Sequence, residues 1–339
     1  MTEGGVWQAC VLPTVKKRQH LMSGSATNLV LLRFDPSESA SGGHMPARHP
    51  LGHAPTSYRK ESNMQKILFF DIDGTLVGFD GKMSPSTMEA LRAARAKGHK
   101  IFLCTGRSLN QIYDYLLDFG FDGIVAAAGG YVEYQGEIIF HDVFGEKLIE
   151  DTFEKIAYSG TAMLVQNKAA SVTTTDWGNT FLNIFAGQIG SNKLEDNPTL
   201  SKLVVDDDVA GYARKYADME SIIYCKCPYT IPELEQMLDD QLEITPSSFK
   251  EPDPYSGEIT LKRTNKATGM QKVLDALDAA REDTIAFGDG ANDIDMLHFA
   301  GTGVAMGNAQ DCAKKAADMI TDDIREDGLR RAMEQLKLI

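Results

Sequence analysis

Long apolar runs are missing from this chain of 339 residues. None approaches the ~20 residues of a membrane-spanning helix, which excludes a membrane pump. Cysteine is sparse: five residues, odd in number and scattered, make no disulfide framework, and a reducing cytoplasm fits. Cys225 and Cys227 stand in an apparent strand and read as structural. The phosphate-cradling string G-x-x-x-x-G-K-[ST] is absent, and so is G-x-G-x-x-G. Neither nucleoside-triphosphate nor dinucleotide binding is therefore suggested. Positive charge is also in short supply, with a formal net charge of −14. Residues 1–63 carry seven Lys and Arg against four Asp and Glu, so the remainder is more acidic still. That argues against a nucleic-acid partner.

What is there reads as a soluble globular protein, 43% hydrophobic and 24% charged. Its length exceeds what one hydrophobic core usually spans, so two domains are expected. The first 63 residues lack periodicity, are rich in Gly, Ser, Pro and His, and read as disordered. Their one apolar run, Leu29–Leu32, is too short for a secretory signal core. An expression leader, an upstream mis-start before Met64 or a transit segment would each account for them, the first two better. The functional argument begins at Met64.

Phe70–Thr75 (FDIDGT) is the stretch around which the rest is organised. It closes an apolar run, Lys66–Phe70, that reads as a short buried β-strand. Alternation along a strand would put Asp71 and Asp73 on the same side. Gly74 permits a sharp turn and Thr75 adds a hydroxyl. Two neighbouring carboxylates repel unless a cation lies between them or one stays protonated. The bland alternative is a polar surface turn, since Asp, Gly and Thr are common after strands.

Past a hairpin over Val77–Met83, Ser84-Pro85 starts a helix that should stop at Gly98. Lys100–Cys104 is a second buried strand, Leu109–Phe119 a helix capped by Ser108, and Gly123–Ala127 a third strand. Strand and helix in alternation predict a parallel α/β sheet. The rhythm changes from Glu146 onward, with an amphipathic helix, strand-like runs at 161–166 and 170–174, a helical region over 177–220, a strand at 221–226, a helix at 232–240 and a strand at 242–245. The expected organisation is a core domain, 64–145 and 254–339, with an inserted α+β module at 146–253. The core resumes with a strand at 258–261, the helix after Asn265-Lys266, and the strand Thr284–Phe287, which ends in Gly288–Asp293 (GDGAND).

In an open parallel sheet ligands gather outside the carboxyl ends of the strands. Four polar clusters fall there: Asp71/Asp73, Thr105, Lys266 and Asp289/Asn292/Asp293. Alone, Thr105 could be a helix cap, Lys266 a solvated lysine and the last cluster a polar turn. Jointly they describe one chemistry. Asp71, Asp289 and Asp293 offer hard oxygen ligands in the number Mg²⁺ takes. Thr105 and Lys266 offer a hydroxyl and a positive charge for phosphoryl oxygens. No His or Cys cluster accompanies them, which argues against zinc.

From Met64 onward the chain resembles a haloacid dehalogenase-superfamily phosphatase, and within it subfamily IIB, the Cof-like sugar-phosphate phosphatases. The resemblance rests on FDIDGT (Phe70–Thr75), CTGR (Cys104–Arg107), NK (Asn265-Lys266) and GDGANDIDML (Gly288–Leu297), in that order. Gly303–Asn308 (GVAMGN) and Glu326-Asp327-Gly328 are similar to further family strings. Two positions depart from it: Ala267 stands where Gly usually follows the lysine, and Ala128-Gly129-Gly130 replaces Asn-Gly-Ala, so an amide near the cap junction is missing.

The resemblance implies a Rossmann-like core with an α+β cap, and a Mg²⁺-dependent phosphatase, monomeric or homodimeric, acting on a small phosphorylated metabolite, a sugar phosphate first. Asp71 would be the nucleophile and Asp73 the general acid and base, its pKa raised by Asp71. Asp71, the Asp73 carbonyl, Asp289 and Asp293 would hold the metal, with Asn292 in support. Thr105, Lys266, Gly106, Gly74 and Arg107 would line the phosphate site. The cap would choose the leaving group; Tyr131, Trp177 and Tyr224 read as core or surface rather than as contacts. A phosphomutase on the same scaffold and a non-catalytic phosphometabolite-binding protein are the rival readings.

Overall fold

A computed structural model describes residues 65–78, 81–189, 202–246 and 253–339. The expected leader, 1–63, and the tip of the hairpin at 79–80 lie outside these residues. The strands, in chain order, are β1 (Ile67–Phe70), β2 (Lys100–Cys104), β3 (Gly123–Ala126), β4 (Tyr131–Tyr134), β5 (Glu137–His141), β6 (Ala162–Gln166), β7 (Ser171–Thr173), β8 (Leu203–Val205), β9 (Ser221–Cys225), β10 (Leu242–Pro246), β11 (Gly257–Leu261), β12 (Thr284–Gly288), β13 (Thr302–Ala305) and β14 (Met319–Ile320). The helices are α1 (Pro85–Ala96), α2 (Asp114–Phe119), α3 (Glu146–Ile156), α4 (Thr175–Ile189), α5 (Tyr212–Lys215), α6 (Ile231–Met237), α7 (Lys266–Leu277), α8 (Ile294–Phe299), α9 (Asp311–Ala316) and α10 (Gly328–Gln335).

Two sheets result. The larger has the order β14-β13-β12-β1-β2-β3-β4-β5, parallel through β3 and closed by the antiparallel pair β4 and β5. β1 is buried throughout, as a central parallel strand must be. Its alternate residues feed two apolar layers. Leu68 and Phe70 join the layer that includes Leu91 of α1 and Leu329 of α10. Ile67 and Phe69 join Met270, Val273 and Leu274 of α7 and Met296 of α8 on the other face. The chain leaves β1 toward β2 and β3, and later returns on the opposite flank at β12. Strand order therefore reverses between β1 and β12, the position where a doubly wound sheet opens a crevice.

Local signals account for several boundaries. Ser84 accepts the Thr87 N–H at 3.1 Å, Pro85 occupies the first turn of α1, and Gly98 takes φ +90° just beyond it. Gln135 and Gly136, both at positive φ, make the tight turn between β4 and β5. The smaller sheet has the order β10-β11-β9-β6-β7-β8. One face is filled by Val165, Val172, Ile222 and Ile259 against Ile149 and Phe153 of α3 and Leu234 of α6.

Three expectations are corrected. β11 does not belong to the larger sheet: it pairs with β9 and β10, so the return to that sheet falls after Leu261 rather than at 254. The alternating GEITL sequence marks a strand without saying which sheet receives it. The helix expected over 109–119 is interrupted, because the Gln111 side chain accepts the Ser108 N–H at 3.1 Å and closes a single turn. Ile112 then runs extended and buried before α2 begins. Within the region read as helical, 177–220, Leu203–Val205 forms β8, parallel to β7. An apolar run of three carries too little periodicity to register.

Candidate active site

Register sets Phe70 beside both Leu103 and Phe287, so the chain leaves β1, β2 and β12 at one edge. The Asp71 N–H donates to Phe287 O at 2.9 Å and continues that alignment by one residue. Asp71 extends the Ile67/Phe69 row toward the face covered by α7, whose first residue is Lys266. The Lys266 Nζ, 1% exposed, donates to Asp71 Oδ1 at 2.6 Å and to Asp293 Oδ1 at 2.5 Å. Asp293 Oδ2 accepts the backbone N–H groups of Asp289 and Gly290, each at 2.8 Å. Both oxygens of Asp293 are thus committed to holding the lysine and shaping the loop.

The start of α7 is fixed from two directions. Asn265 caps it by accepting the Thr268 N–H at 2.9 Å, and the Thr268 hydroxyl accepts the Asn265 N–H in return at 2.9 Å. The turn Ala127–Gly130 packs beneath, with Ala127, Ala128 and Gly129 all at positive φ. A Cβ on Gly129 would lie 2.0 Å from Asn265 O, so only glycine permits that approach. The Ala128-Gly129-Gly130 string that departs from the family pattern is therefore the seat of the lysine-bearing helix.

Asp289 is the third carboxylate. Its Oδ1 accepts the Thr75 hydroxyl at 3.3 Å, and Gly74, at φ +84°, lies so close that a Cβ there would be 2.2 Å from Asp289 Oδ2. Asn308 donates from Nδ2 to Gly74 O at 2.8 Å and accepts the Ile324 N–H at 3.0 Å, pinning this turn to the segment after β14. Sequence reading assigned Asn308 no role. The available signal was a polar residue just past β13, at the same carboxyl edge.

Oxygens of Asp71, Asp289 and Asp293 lie within 4.8 Å of one another. One ammonium against three carboxylates leaves two negative charges in excess. Burial, then the Asp293 charge, pushes Asp71 well above its usual range, although Lys266 opposes the shift. Asp289 rises to about 7 through burial and the same neighbour, with Thr75 pulling the other way. Burial works against the Lys266 ammonium, but Asp293 and Asp71 outweigh it and raise its pKa. An all-oxygen donor set with unmet negative charge fits a hard divalent cation.

The remaining expected residues divide. Thr105 is buried at the end of β2, its N–H on Val125 O at 2.9 Å, and its hydroxyl accepts the Arg107 N–H at 3.2 Å. Gly106 faces the Asn292 amide, and Asn292 itself is exposed. Asp73 does not share the setting of Asp71, because β1 ends at Phe70 and the chain turns through Ile72–Thr75. Its carboxylate instead accepts Nε and Nη2 of Arg107, at 2.6 and 2.9 Å. Arg107 also donates Nη1 to Gln111 O at 2.9 Å and stacks over Tyr113. In this arrangement the guanidinium is committed to the chain itself, where phosphate binding was expected of it.

The haloacid dehalogenase-like hydrolase family matches residues 68–333. A 5-amino-6-(5-phospho-D-ribitylamino)uracil phosphatase of Bacillus subtilis is 27% identical over 82% of this chain and 98% of its own. A pyridoxal phosphate phosphatase of Escherichia coli is 25% identical over 78% of this chain and 96% of its own. Among solved structures, a subclass IIB sugar phosphatase of this superfamily superposes with a TM-score of 0.64. It is 28% identical and covers 81% of this chain and all of that one. The order of motifs, the two sheets and these likenesses agree: the chain belongs to the haloacid dehalogenase-like hydrolases.

Proposed function

We propose that the protein is a Mg²⁺-dependent phosphatase that releases phosphate from a small phosphorylated metabolite by way of an aspartyl phosphate on Asp71. The observation that carries this reading is the buried Asp71–Lys266–Asp293 cluster beside Asp289. It combines a carboxylate nucleophile, a fixed positive charge and an unmet demand for a cation at one strand edge.

Asp71, Asp289 and the Asp73 carbonyl would hold the metal, with Asp293 anchoring the loop behind them. When bound, Mg²⁺ supplies charge neutralisation that lets an anionic carboxylate approach an anionic phosphoryl group. Lys266 fixes the Asp71 carboxylate and presents its ammonium to the phosphoryl oxygens, where charge builds during transfer. Thr105 adds a hydroxyl at the same edge. Asp71 then carries the phosphoryl group until water cleaves the acyl phosphate. Asp73 would protonate the departing oxygen and later take a proton from that water. Each of its oxygens accepts one N–H of Arg107 and keeps a second lone pair for the proton, so Arg107 sets where the acid waits between turnovers.

Asp71→Asn tests the assignment. The amide cannot attack phosphorus, and phosphate release in the presence of Mg²⁺ should fall by about three orders of magnitude or more while the fold persists. Undiminished turnover by that variant would remove the nucleophile from Asp71.

A further inference from the structure

We propose that Asn308 is a positioning residue for the metal: its side chain sets the gap between the Gly74 turn and Asp289, and it does so from an anchor in the C-terminal turn, residues 322–328. Resting on the reading of the protein as a Mg²⁺-dependent phosphatase, this gives a role to two strings, GVAMGN and Glu326-Asp327-Gly328, that the catalytic steps leave unused.

The two sides of the gap come from distant parts of the chain. Pairing between β1 and β12 ends at Phe70 and Phe287, with one further bond from the Asp71 N–H to Phe287 O. Past that point residues 72–75 and 289–290 must be held together by something other than the sheet. The Thr75 hydroxyl reaches Asp289 Oδ1 only at 3.3 Å, long for a bond between oxygens. Yet the approach is close, since a Cβ on Gly74 would lie 2.2 Å from Asp289 Oδ2. A small shift of the turn therefore changes the spacing between the Asp289 carboxylate and the Asp73 carbonyl, two of the groups read as metal ligands.

The turn after β13 supplies the hold. The Met306 N–H donates to Gly288 O at 3.0 Å and the Gln310 N–H to Asp289 O at 2.8 Å, so residues 306–310 bracket the end of β12. Between those two contacts Asn308 Nδ2 crosses to Gly74 O at 2.8 Å. One short segment thus grips both sides of the gap, Asp289 by its backbone and Gly74 by a side chain.

The other end of the amide is fixed as well. Asn308 Oδ1 accepts the Ile324 N–H at 3.0 Å. Exchanging the amide oxygen and nitrogen would set carbonyl against carbonyl and N–H against N–H, so the two partners admit one orientation. The anchor is closely packed. The Gly307 N–H donates to Asp322 O at 3.0 Å, and a Cβ on Gly307 would lie 2.4 Å from Asp323 N. Asp327 takes φ +58° and delivers Gly328, whose N–H donates to Asp323 O at 3.1 Å. A Cβ on Gly328 would lie 1.9 Å from Asp322 O. The acid and glycine of the second string therefore shape the turn that presents the Ile324 N–H, and the glycine of the first lets Asn308 reach it. Mg²⁺ demands near-ideal octahedral geometry, so a change in the spacing of its ligands should register first in its affinity.

The test measures Mg²⁺ binding to the full-length chain by titration calorimetry without substrate, beside phosphate release and thermal unfolding. Asn308→Ala removes both bonds and should raise the Kd for Mg²⁺ by about tenfold or more, with turnover recovering in large part as Mg²⁺ is raised. Ile324→Pro breaks the tie from the far end. It replaces the N–H that Asn308 accepts with a ring carbon, at the first position of the short helix Ile324–Glu326 and after Asp323 at φ −59°, ψ 148°, a setting proline accepts. It should weaken Mg²⁺ binding in the same direction, by about threefold or more, and it decides the matter where Asn308→Ala fails to fold. An unchanged Kd, with only the unfolding temperature lowered, would make Asn308 a structural tie and overturn the proposal while leaving the phosphatase reading intact. A wild-type chain that neither binds Mg²⁺ nor releases phosphate would overturn both.

Discussion

At the scale of single residues, Lys266 has the most to lose. Its ammonium hydrogen-bonds both Asp71 and Asp293, and all three side chains are buried. Breaking a buried ion pair from one side leaves charge without compensation and typically costs about 3–5 kcal/mol. Lys266→Met should therefore lower the unfolding temperature by several degrees at neutral pH as well as abolishing turnover. Added Mg²⁺ should recover part of the lost stability, since a cation among the carboxylates replaces some of the missing charge. Calorimetry with and without the metal measures both effects. An unfolding temperature equal to that of the wild type would contradict the ion-pair geometry. Arg107 shows the limit of reading residues singly. A guanidinium two residues past Thr105 reads as a phosphate ligand, and nothing local to it announces that Asp73, 34 positions away, takes two of its three nitrogens.

At the scale of elements, the site depends on how closely backbone segments approach. The Ala127–Gly130 turn touches the first turn of α7, and a Cβ on Gly129 would sit 2.0 Å from Asn265 O with φ already at +96°. Gly129→Ala should therefore displace the helix start and draw Lys266 away from Asp71, reducing kcat far more than it changes KM. Activity at wild-type level would show that the helix does not rest on this turn. Such contacts explain what was legible beforehand. Asp71, Thr105 and Asp289 could be brought together from sequence because each follows an apolar strand, and parallel strands deliver their carboxyl ends to one edge. The membership of β11 could not, because it depends on which strands pair and in what register. Alternation within one strand is silent on its neighbours.

At the scale of the whole molecule, the dependence of stability on pH should carry the mark of one buried acid. Glu258 stands on the smaller sheet, and burial raises its pKa from an ordinary 4.5 to about 7, with the Ser221 hydrogen bond opposing the shift. Below about pH 4.5 the group is protonated in both folded and unfolded chains and costs nothing. Between 4.5 and about 7 the folded chain binds the proton more tightly than the unfolded one, so stability falls as pH rises through that window. Above it the folded chain bears the full cost of a buried carboxylate, on the order of 3 kcal/mol. Glu258→Gln removes the charge and retains a donor for Ser221. The variant should thus unfold at a higher temperature than the wild type at pH 8, and the gap should close as pH falls toward 4.5. Because every other acid titrates alike in the two proteins, the difference between their curves isolates this group from the rest of a chain with net charge −14. A gap of equal size at both pH values would mean that the substitution acts through packing, and that Glu258 is not a carboxyl withdrawn from water.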